Sequence, residues 1–526
     1  MKRKTSNLKF IPGDKILIVL LTISMIFLPH CSGNRIERIT GFEVKAVQLS
    51  KEIPFIKLHM KNGDVYIFDN WKMDQKENVV LGNGNHLDMN RQLIDQGEFK
   101  LSIKDVALAE TNVIKNSAAV TALTFATVIT GIFTVVCITN PKACFGSCPT
   151  FYANNGNEYI VQSEGFSSSI SPCLEEKDID ALFRIKPESE NFEIQLRNEA
   201  YETHVIRKAN VLALPKKKGN RVFAAMDDKF YEAGNLIGAS EVVGEEGDCS
   251  EKLCSFDGVE RFSPADSNNL AEKEIIEISF NNITEGNKGL VIASRQTLLT
   301  TFLFYQGLAY MGSSAGYFLA NLERNSEEVK KIIDQPRKEL GNIEVFVETV
   351  SGDWKKAGEI GEHGPISTDI KIVPLNNLNT SSSIKIKLRM TKGLWRIDYL
   401  ALADLKGKVD PVIISPSDAF PKLTGYNSNV TELLTNEDSV LVTFPGDKYF
   451  LQYKLPEDFE NYELFLESQG YYLEWMREEW LAEENPAKVY QMFFNPQQFF
   501  KDLAPQFKKV EAEMEETFWS SKYVYP

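Results

Sequence analysis

The 526-residue chain reads as a multidomain α+β protein, mainly β with α segments. Three observations predict this. Long stretches such as "FIKLHMKNGDVYIFDNW" and "SIKIKLRMTKGLWRIDYLAL" alternate apolar and polar residues between turn signals, the period-2 pattern of half-buried strands. Two apolar runs, residues 118–138 and 295–325, are too long for strands and read as helices. Two Asn-Pro pairs near the C-terminus, Asn485-Pro486 and Asn495-Pro496, each place a favoured N-cap before a proline suited to the first helical turn.

The elements follow in order. Residues 1–30 combine Lys2, Arg3, Lys4, Lys9 and Lys15 with an apolar run from Ile16 to Pro29, which makes a lipoprotein-type signal peptide. "LPHC" resembles a lipobox, with Cys31 as the residue to be acylated, although His30 stands where a small residue is usual. Residues 31–115 read as a small β-module, with a hairpin at Asn62-Gly63 and a second turn cluster in "LGNGNHLDMN". There Gly82, Asn83, Gly84, Asn85 and Asp88 are similar to one copy of a calcium-binding glycine-rich repeat, though a single copy is ordinarily a turn.

Residues 116–140 hold a hydrophobic helix. Its 21 uncharged residues, 118–138, are long enough to cross about 30 Å of hydrocarbon at 1.5 Å per residue, or to lie buried. Residues 142–265 form a β-domain with cysteines, opened by a hairpin across Asn155-Gly156 and closed by the loop-like "AGNLIGASEVVGEEGDCSEKLCSFDG". Residues 270–455 form a β-sandwich-like domain with an inserted apolar helix. Residues 456–526 form a helical tail of short helices. In it Tyr472, Trp475, Met476, Glu479 and Trp480 share a helix face, and Glu474, Glu478, Glu479, Glu483 and Glu484 make a solvated one.

Composition bounds the chemistry. The formal charge is −15, and loss of the signal removes five basic groups and one acid, leaving a still more acidic chain. That excludes a nucleic-acid partner, whose phosphates require Lys and Arg. Five histidines leave little for metal binding, and no cofactor or metal is implied. Outside the cytoplasm thiols oxidise, so Cys144, Cys148, Cys173, Cys249 and Cys254 are disulfide candidates, with Cys249–Cys254 and Cys148–Cys173 as the natural pairs. A zinc site of Cys144, Cys148, Cys249 and Cys254 is the weaker reading, because its paired spacings are irregular and far apart.

"GSSAG" at 312–316 matches the nucleophile elbow in form, with Ser314, Asp353 and His363 in hydrolase order. The preceding residues are hairpins and helix, without the strand–turn–helix context an elbow needs, so no catalytic residue is assigned. A glycosidase pair of carboxylates cannot be chosen among 73 acids. Asp398 in "WRIDYLAL" is expected at an outward strand position, with a buried polar anchor as the alternative.

The phrases "SCPTFY…NGNEYIVQSEGF", "LRNEAYETHVIRKANVLAL", "SRQTLLTTFLFYQGLAYMG" and "GLWRIDYLALAD" together resemble a family of large Bacteroidota-type envelope lipoproteins with a Ser-Cys-Pro-x-x-Tyr motif. The resemblance implies location and modularity, and no catalytic residues. Residues 343–402 are similar to galactose-binding-like β-sandwich domains, which implies loops able to hold a sugar.

The expected protein is therefore exported and membrane-anchored in the cell envelope, at the outer membrane or the periplasmic face of the inner one. It works by binding or scaffolding, with a glycan or another envelope protein as partner and the membrane reached through its lipid and the 118–138 segment. The alternatives are an envelope serine hydrolase using Ser314 and an integral inner-membrane protein anchored by residues 118–138.

Overall fold

The computed structural model describes residues 34–41, 56–60, 64–74, 76–87, 93–116, 148–156, 158–199, 202–315, 318–319, 322, 327–349, 351–375, 382–421, 428–443, 447–474 and 483–521. The expectations for the signal peptide, Cys31, Asp88, the 118–138 segment and Cys144 fall outside these residues. Among the described residues no helix is long and apolar enough to cross a membrane.

The chain is mainly β with α segments, and nearly all its strands pair antiparallel. The N-terminal module is a six-stranded sheet in the order Asn34–Gly41, Val106–Asn116, Ile56–Met60, Val65–Asp74, Val79–Leu87, Leu93–Ser102. Its own small core holds Ile56, Leu58, Phe68, Val80 and Val106. "LGNGNHL" is not a turn but the paired strand Val79–Leu87. Its glycines are there for closeness: a Cβ on Gly82 would stand 2.1 Å from the Phe68 ring, and one on Gly84 1.9 Å from the Ile67 carbonyl oxygen. That packing need accounts for Gly82 and Gly84.

The other described residues build four sheets. One joins Asp418–Pro421, Lys448–Lys454, Asn191–Arg197, Thr150–Asn154 and Tyr159–Glu164, with the expected hairpin at Asn155-Gly156, where Gly156 has φ +97°. Another joins Val412–Ile414, Glu202–Pro215, Tyr462–Glu474 and Glu176–Ala181. A third contains Phe230–Gly238, Arg221–Ala224, Asp369–Leu375, Lys288–Gln296 and Trp395–Val409, and closes because the first of these also pairs the last. The fourth centres on Lys273–Asn281, Ser383–Thr391, Ile343–Glu348 and Trp354–Ile360.

Alternation then sorts side chains between cores. Val211 and Ala213 enter a large core with Phe151, Leu196 and Tyr453, whereas Leu212 and Leu214 enter a second core with Val291, Ala293 and Ile372. All nine residues of Lys288–Gln296 are buried, since Leu290 and Ile292 face the fourth sheet's core while Val291 and Ala293 face away from it. Each such Val, Leu or Ile contributes roughly 1.5–3 kcal/mol by leaving water.

These pairings cut across the divisions read from the sequence. Strands of 150–215 pair with strands of 412–474, enclosing the sheets of 221–409, so neither a 142–265 unit nor a 270–455 unit coincides with a sheet. The loop expected at 233–258 holds the latter part of the strand Phe230–Gly238 and all of Glu241–Gly244, both paired. The helical tail begins later than expected. Tyr472 and Glu474 lie in the 13-residue strand Tyr462–Glu474, because the pairing surface offered by Glu202–Pro215 outweighs local helical spacing.

The two Asn-Pro signals do start helices, Pro486–Phe494 and Pro496–Ser521. Asn485 Oδ1 accepts from the Lys488 backbone N–H at 3.2 Å, a cap that contributes about 1 kcal/mol. The second helix runs 26 residues, longer than the short helices expected. Both dock on the inserted helix Leu299–Met311: Tyr310 Oη donates to Gln506 Oε1 (3.2 Å), Gln506 Nε2 donates to Gln306 Oε1 (3.1 Å), and Phe302 meets Phe507 at 4.9 Å. Glu327–Leu340 packs against both C-terminal helices, whereas Ser428–Thr435 packs on the strands Asp418–Pro421 and Glu202–Pro215; neither helix stood out in the sequence.

Candidate functional site

Where the helical layer meets the sheets it leaves a cavity of about 180 Å³. Leu303, Phe304, Leu308, Met492, Phe493 and Phe500 line its helical side. The sheet side is different in kind: Cys148, Glu164, Glu202 and Tyr472 contribute there, with Tyr305 across from them and Glu362 and Arg337 at a further wall.

Strand register explains the acids. Glu202 opens Glu202–Pro215 and Glu474 ends Tyr462–Glu474, and the two are direct cross-strand partners, 1% and 2% exposed. Like charges directly opposite oppose pairing, so a sheet tolerates such a pair only where other groups answer it. The Tyr305 hydroxyl donates to Glu474 Oε1 at 2.8 Å, and His204 Nε2 lies 3.1 Å from Glu202 Oε2. Glu164 ends its own strand, and its Oε2 accepts from the Ile366 N–H at 2.7 Å. Gly364, at φ +78°, makes that approach feasible, since a Cβ there would stand 2.4 Å from the same oxygen.

Electrostatics hold the nearby weak acids in their neutral forms. Burial first, then Glu164 and Glu202, push the Cys148 thiol well above its ordinary range. Burial first, then Cys148 and Glu202, do the same for the Tyr472 phenol. Cys148 is therefore a thiol at neutral pH, unsuited to nucleophilic attack, which needs the thiolate. Burial also raises the Glu362 carboxyl, with Arg337, 4.0 Å away, opposing.

The residues singled out by sequence lie mostly elsewhere. Ser314 sits in the 3-10 turn Gly312–Ser314 at the end of a helix, with its buried Oγ making no hydrogen bond among the described residues. Asp353 is in an exposed turn and accepts from Ser351 Oγ at 2.7 Å. His363 is buried with Nε2 2.6 Å from the Ser294 carbonyl oxygen and Nδ1 3.1 Å from that of Gly361. None of the three hydrogen-bonds another, and no strand precedes the serine, so the elbow is formal only.

Cys148, Cys173, Cys249 and Cys254 are free thiols in this structure. Cys249 Sγ contacts the Val242 carbonyl oxygen (3.5 Å) and Cys254 Sγ that of Glu251 (3.1 Å). Among the described residues no His, Cys, Asp and Glu cluster has the form of a metal site. Asp398 is the buried anchor: a register shift in its strand turns it inward, and its carboxylate accepts from the Gly258 N–H at 3.1 and 3.2 Å. Glu474 and Glu483, expected on a solvated face, are bonded to Tyr305 and Gln306. The cavity acids were missed because Glu164, Glu202 and Glu362 converge only through pairing and packing of distant segments.

Beside the cavity lies a second acidic group. Asp180 and Asp369 are buried with Lys371, whose Nζ is 2.7 Å from Asp369 Oδ2, and Asp180 also accepts from Ser163 Oγ. Burial and then Asp369 push the Asp180 carboxyl well up against the opposing pull of Lys371, and burial carries Asp178 up to about 7. In the folded chain these carboxyls keep protons that the unfolded chain has already released. Their contribution to stability is therefore full below the unfolded pKa and is lost as pH rises through their raised folded values, about 7 for Asp178. Glu246 and Glu232 act oppositely: Arg261 and Asn220, respectively, lower them, and their contribution is lost as pH falls below about 4. Urea denaturation is thus expected to show higher stability near pH 5 than near pH 8, with the difference reduced in Asp180→Asn; an unchanged slope in the variant refutes the assignment.

No family model matches the chain, and no curated protein does. Among solved structures it is similar to allantoicase (10% identity, covering 53% of this chain and 99% of that one, TM-score 0.18). It is also similar to a GH31 alpha-xylosidase from Xanthomonas citri (7% identity, 79% and 38% covered, TM-score 0.13). A third is the secreted serine protease VesC from Vibrio cholerae (8% identity, 70% and 76% covered, TM-score 0.12). At these scores the likenesses carry no argument about fold or activity. The chain is a β-rich protein with a partly open cavity, apolar at its helical side and acidic at its sheet side.

Proposed function

We propose that this is an exported, lipid-anchored envelope protein that works by binding a small, partly apolar molecule in the cavity beneath its C-terminal helices. The single observation carrying the reading is the cavity itself: about 180 Å³, lined by Leu303, Phe304, Leu308 and Phe493 and bounded by a few convergent polar groups. Ligand sites have that composition. An apolar void of roughly 150 Å³ accepts a benzene-sized guest, so this one suits a single ring or a short alkyl chain.

Benzene and indole are expected to raise the melting temperature of the full chain by several degrees when in excess over their dissociation constants. Thr301→Trp, at a half-exposed lining position, is expected to abolish the shift while the protein stays folded. Absence of any shift in the unsubstituted protein defeats the proposal.

The envelope location is supported by the basic-then-apolar N-terminus and by "LPHC". Intact-mass measurement on the membrane fraction is expected to show a chain beginning at Cys31 with its acyl groups; an unacylated Cys31 overturns the anchor.

A further inference from the structure

The cavity's lining divides by exposure. Cys148, Glu202, Leu308 and Tyr472 are buried, whereas Thr300, Thr301 and Phe304 on one helix and Ile333, Pro336 and Arg337 on another are partly exposed. The mouth therefore lies between the start of Leu299–Met311 and the end of Glu327–Leu340. Its two rims are not equally fixed. Ten of the thirteen residues of the first helix are buried. In residues 331–340 of the second only Leu340 is, while Ile332 and Ile333 are partly covered by the core. Swinging the second helix aside would return little apolar area to water, and segments of that kind open at the low end of a fold's free-energy range.

The second helix also carries a pivot and a catch. At its C-terminal end Gly341 has φ +67°. There Lys273 Nζ donates to the Glu339 carbonyl oxygen at 3.2 Å, to the Thr391 hydroxyl at 2.7 Å and to the Leu340 carbonyl oxygen, which stakes that end to two strands. One turn earlier Arg337 Nη2 donates to the Ser168 carbonyl oxygen at 3.0 Å, with Glu362 Oε2 4.0 Å from the same nitrogen. Among the described residues no other side chain of this helix hydrogen-bonds the sheet side of the cavity.

Resting on the cavity being a binding site, we propose that the helix Glu327–Leu340 is its gate. It swings about Gly341 to admit the guest and is held shut by the bond from Arg337 to the Ser168 carbonyl oxygen. Without that bond more molecules stand open at any moment, so a guest both enters and leaves faster.

The test uses the full chain and two readouts. Exchange of fluoroindole on and off the protein, followed by fluorine NMR lineshapes, is expected to be about tenfold faster in Arg337→Ala, the size set by one charge-assisted hydrogen bond. Without any guest, amide hydrogen exchange across residues 331–340 should quicken by a similar factor while Leu299–Met311 keeps its protection. Arg337→Lys retains a charged donor and should return both rates to within about threefold of the parent. Arg337→Met, which keeps the stem and deletes the donor, should match the alanine result and carries the test should Arg337→Ala not fold. Guest exchange unchanged in the alanine and methionine variants overturns the gate, as does amide exchange that quickens equally in Leu299–Met311. The benzene and indole melting shifts separate the two readings: if they occur and the variants admit fluoroindole no faster, the site stands and the gate fails. If they are absent, both fail.

Discussion

Arg261→Ala is expected to lower the unfolding free energy by about 3–5 kcal/mol, read as a fall in the urea midpoint at constant slope. Arg261 is 1% exposed. Its Nε and Nη2 donate to Glu246 at 2.7 and 2.8 Å, while Nη1 and Nη2 donate to Glu274 at 2.9 and 2.6 Å. The arginine lies on Arg261–Phe262, which pairs with Trp395–Val409, whereas Glu274 lies on Lys273–Asn281 of the other sheet. The guanidinium thus bolts two layers together. Most of the expected loss comes from stranding Glu274, itself 1% exposed, as a buried charge. Arg261→Ala/Glu274→Gln should therefore recover part of the loss. Arg261→Lys should fall between, because an ammonium has no planar fork to serve two carboxylates. A drop of under about 1 kcal/mol in the alanine variant would show that the bolt is dispensable.

Trp395→Ala is expected to be comparably severe, about 3–5 kcal/mol, because it empties the site of the largest fully buried side chain among the described residues. Its indole ring packs 5.7 Å from the His363 imidazole, at the start of the long strand Trp395–Val409. The indole N–H makes no hydrogen bond among the described residues. Trp395→Phe, which deletes that buried donor along with some volume, should therefore stay within about 1.5 kcal/mol of the parent. Equal losses in the two variants would mean that the N–H has a partner, such as a bound water, whose bond the ring change breaks.

Some elements were legible because the chemistry that makes them is local. Asn155-Gly156 between alternating aromatics is a hairpin, and Asn485-Pro486 and Asn495-Pro496 begin helices; a turn or a cap is decided by three or four consecutive residues. The same locality misled where a partner strand intervened. Tyr472 and Glu474 fit a helical stripe on spacing alone, yet the strand Glu202–Pro215 takes them into a sheet. Gly82 and Gly84 read as a turn until the Phe68 ring is seen to occupy the space a side chain would need. The helix Glu327–Leu340 went unnoticed because Pro336 lies inside it.

The sequence by itself determined the class of the protein and its local punctuation: mainly β with buried helices, acidic, with hairpins and caps set by neighbouring residues. Tertiary structure alone decided which distant strands pair, that Ser314, Asp353 and His363 stay apart, and that Glu164, Glu202, Tyr305 and Tyr472 border one cavity. The physical reason is that a site is a convergence of side chains through long-range hydrogen-bonded register and packing. Those contacts join residues hundreds of positions apart, and no local pattern encodes them.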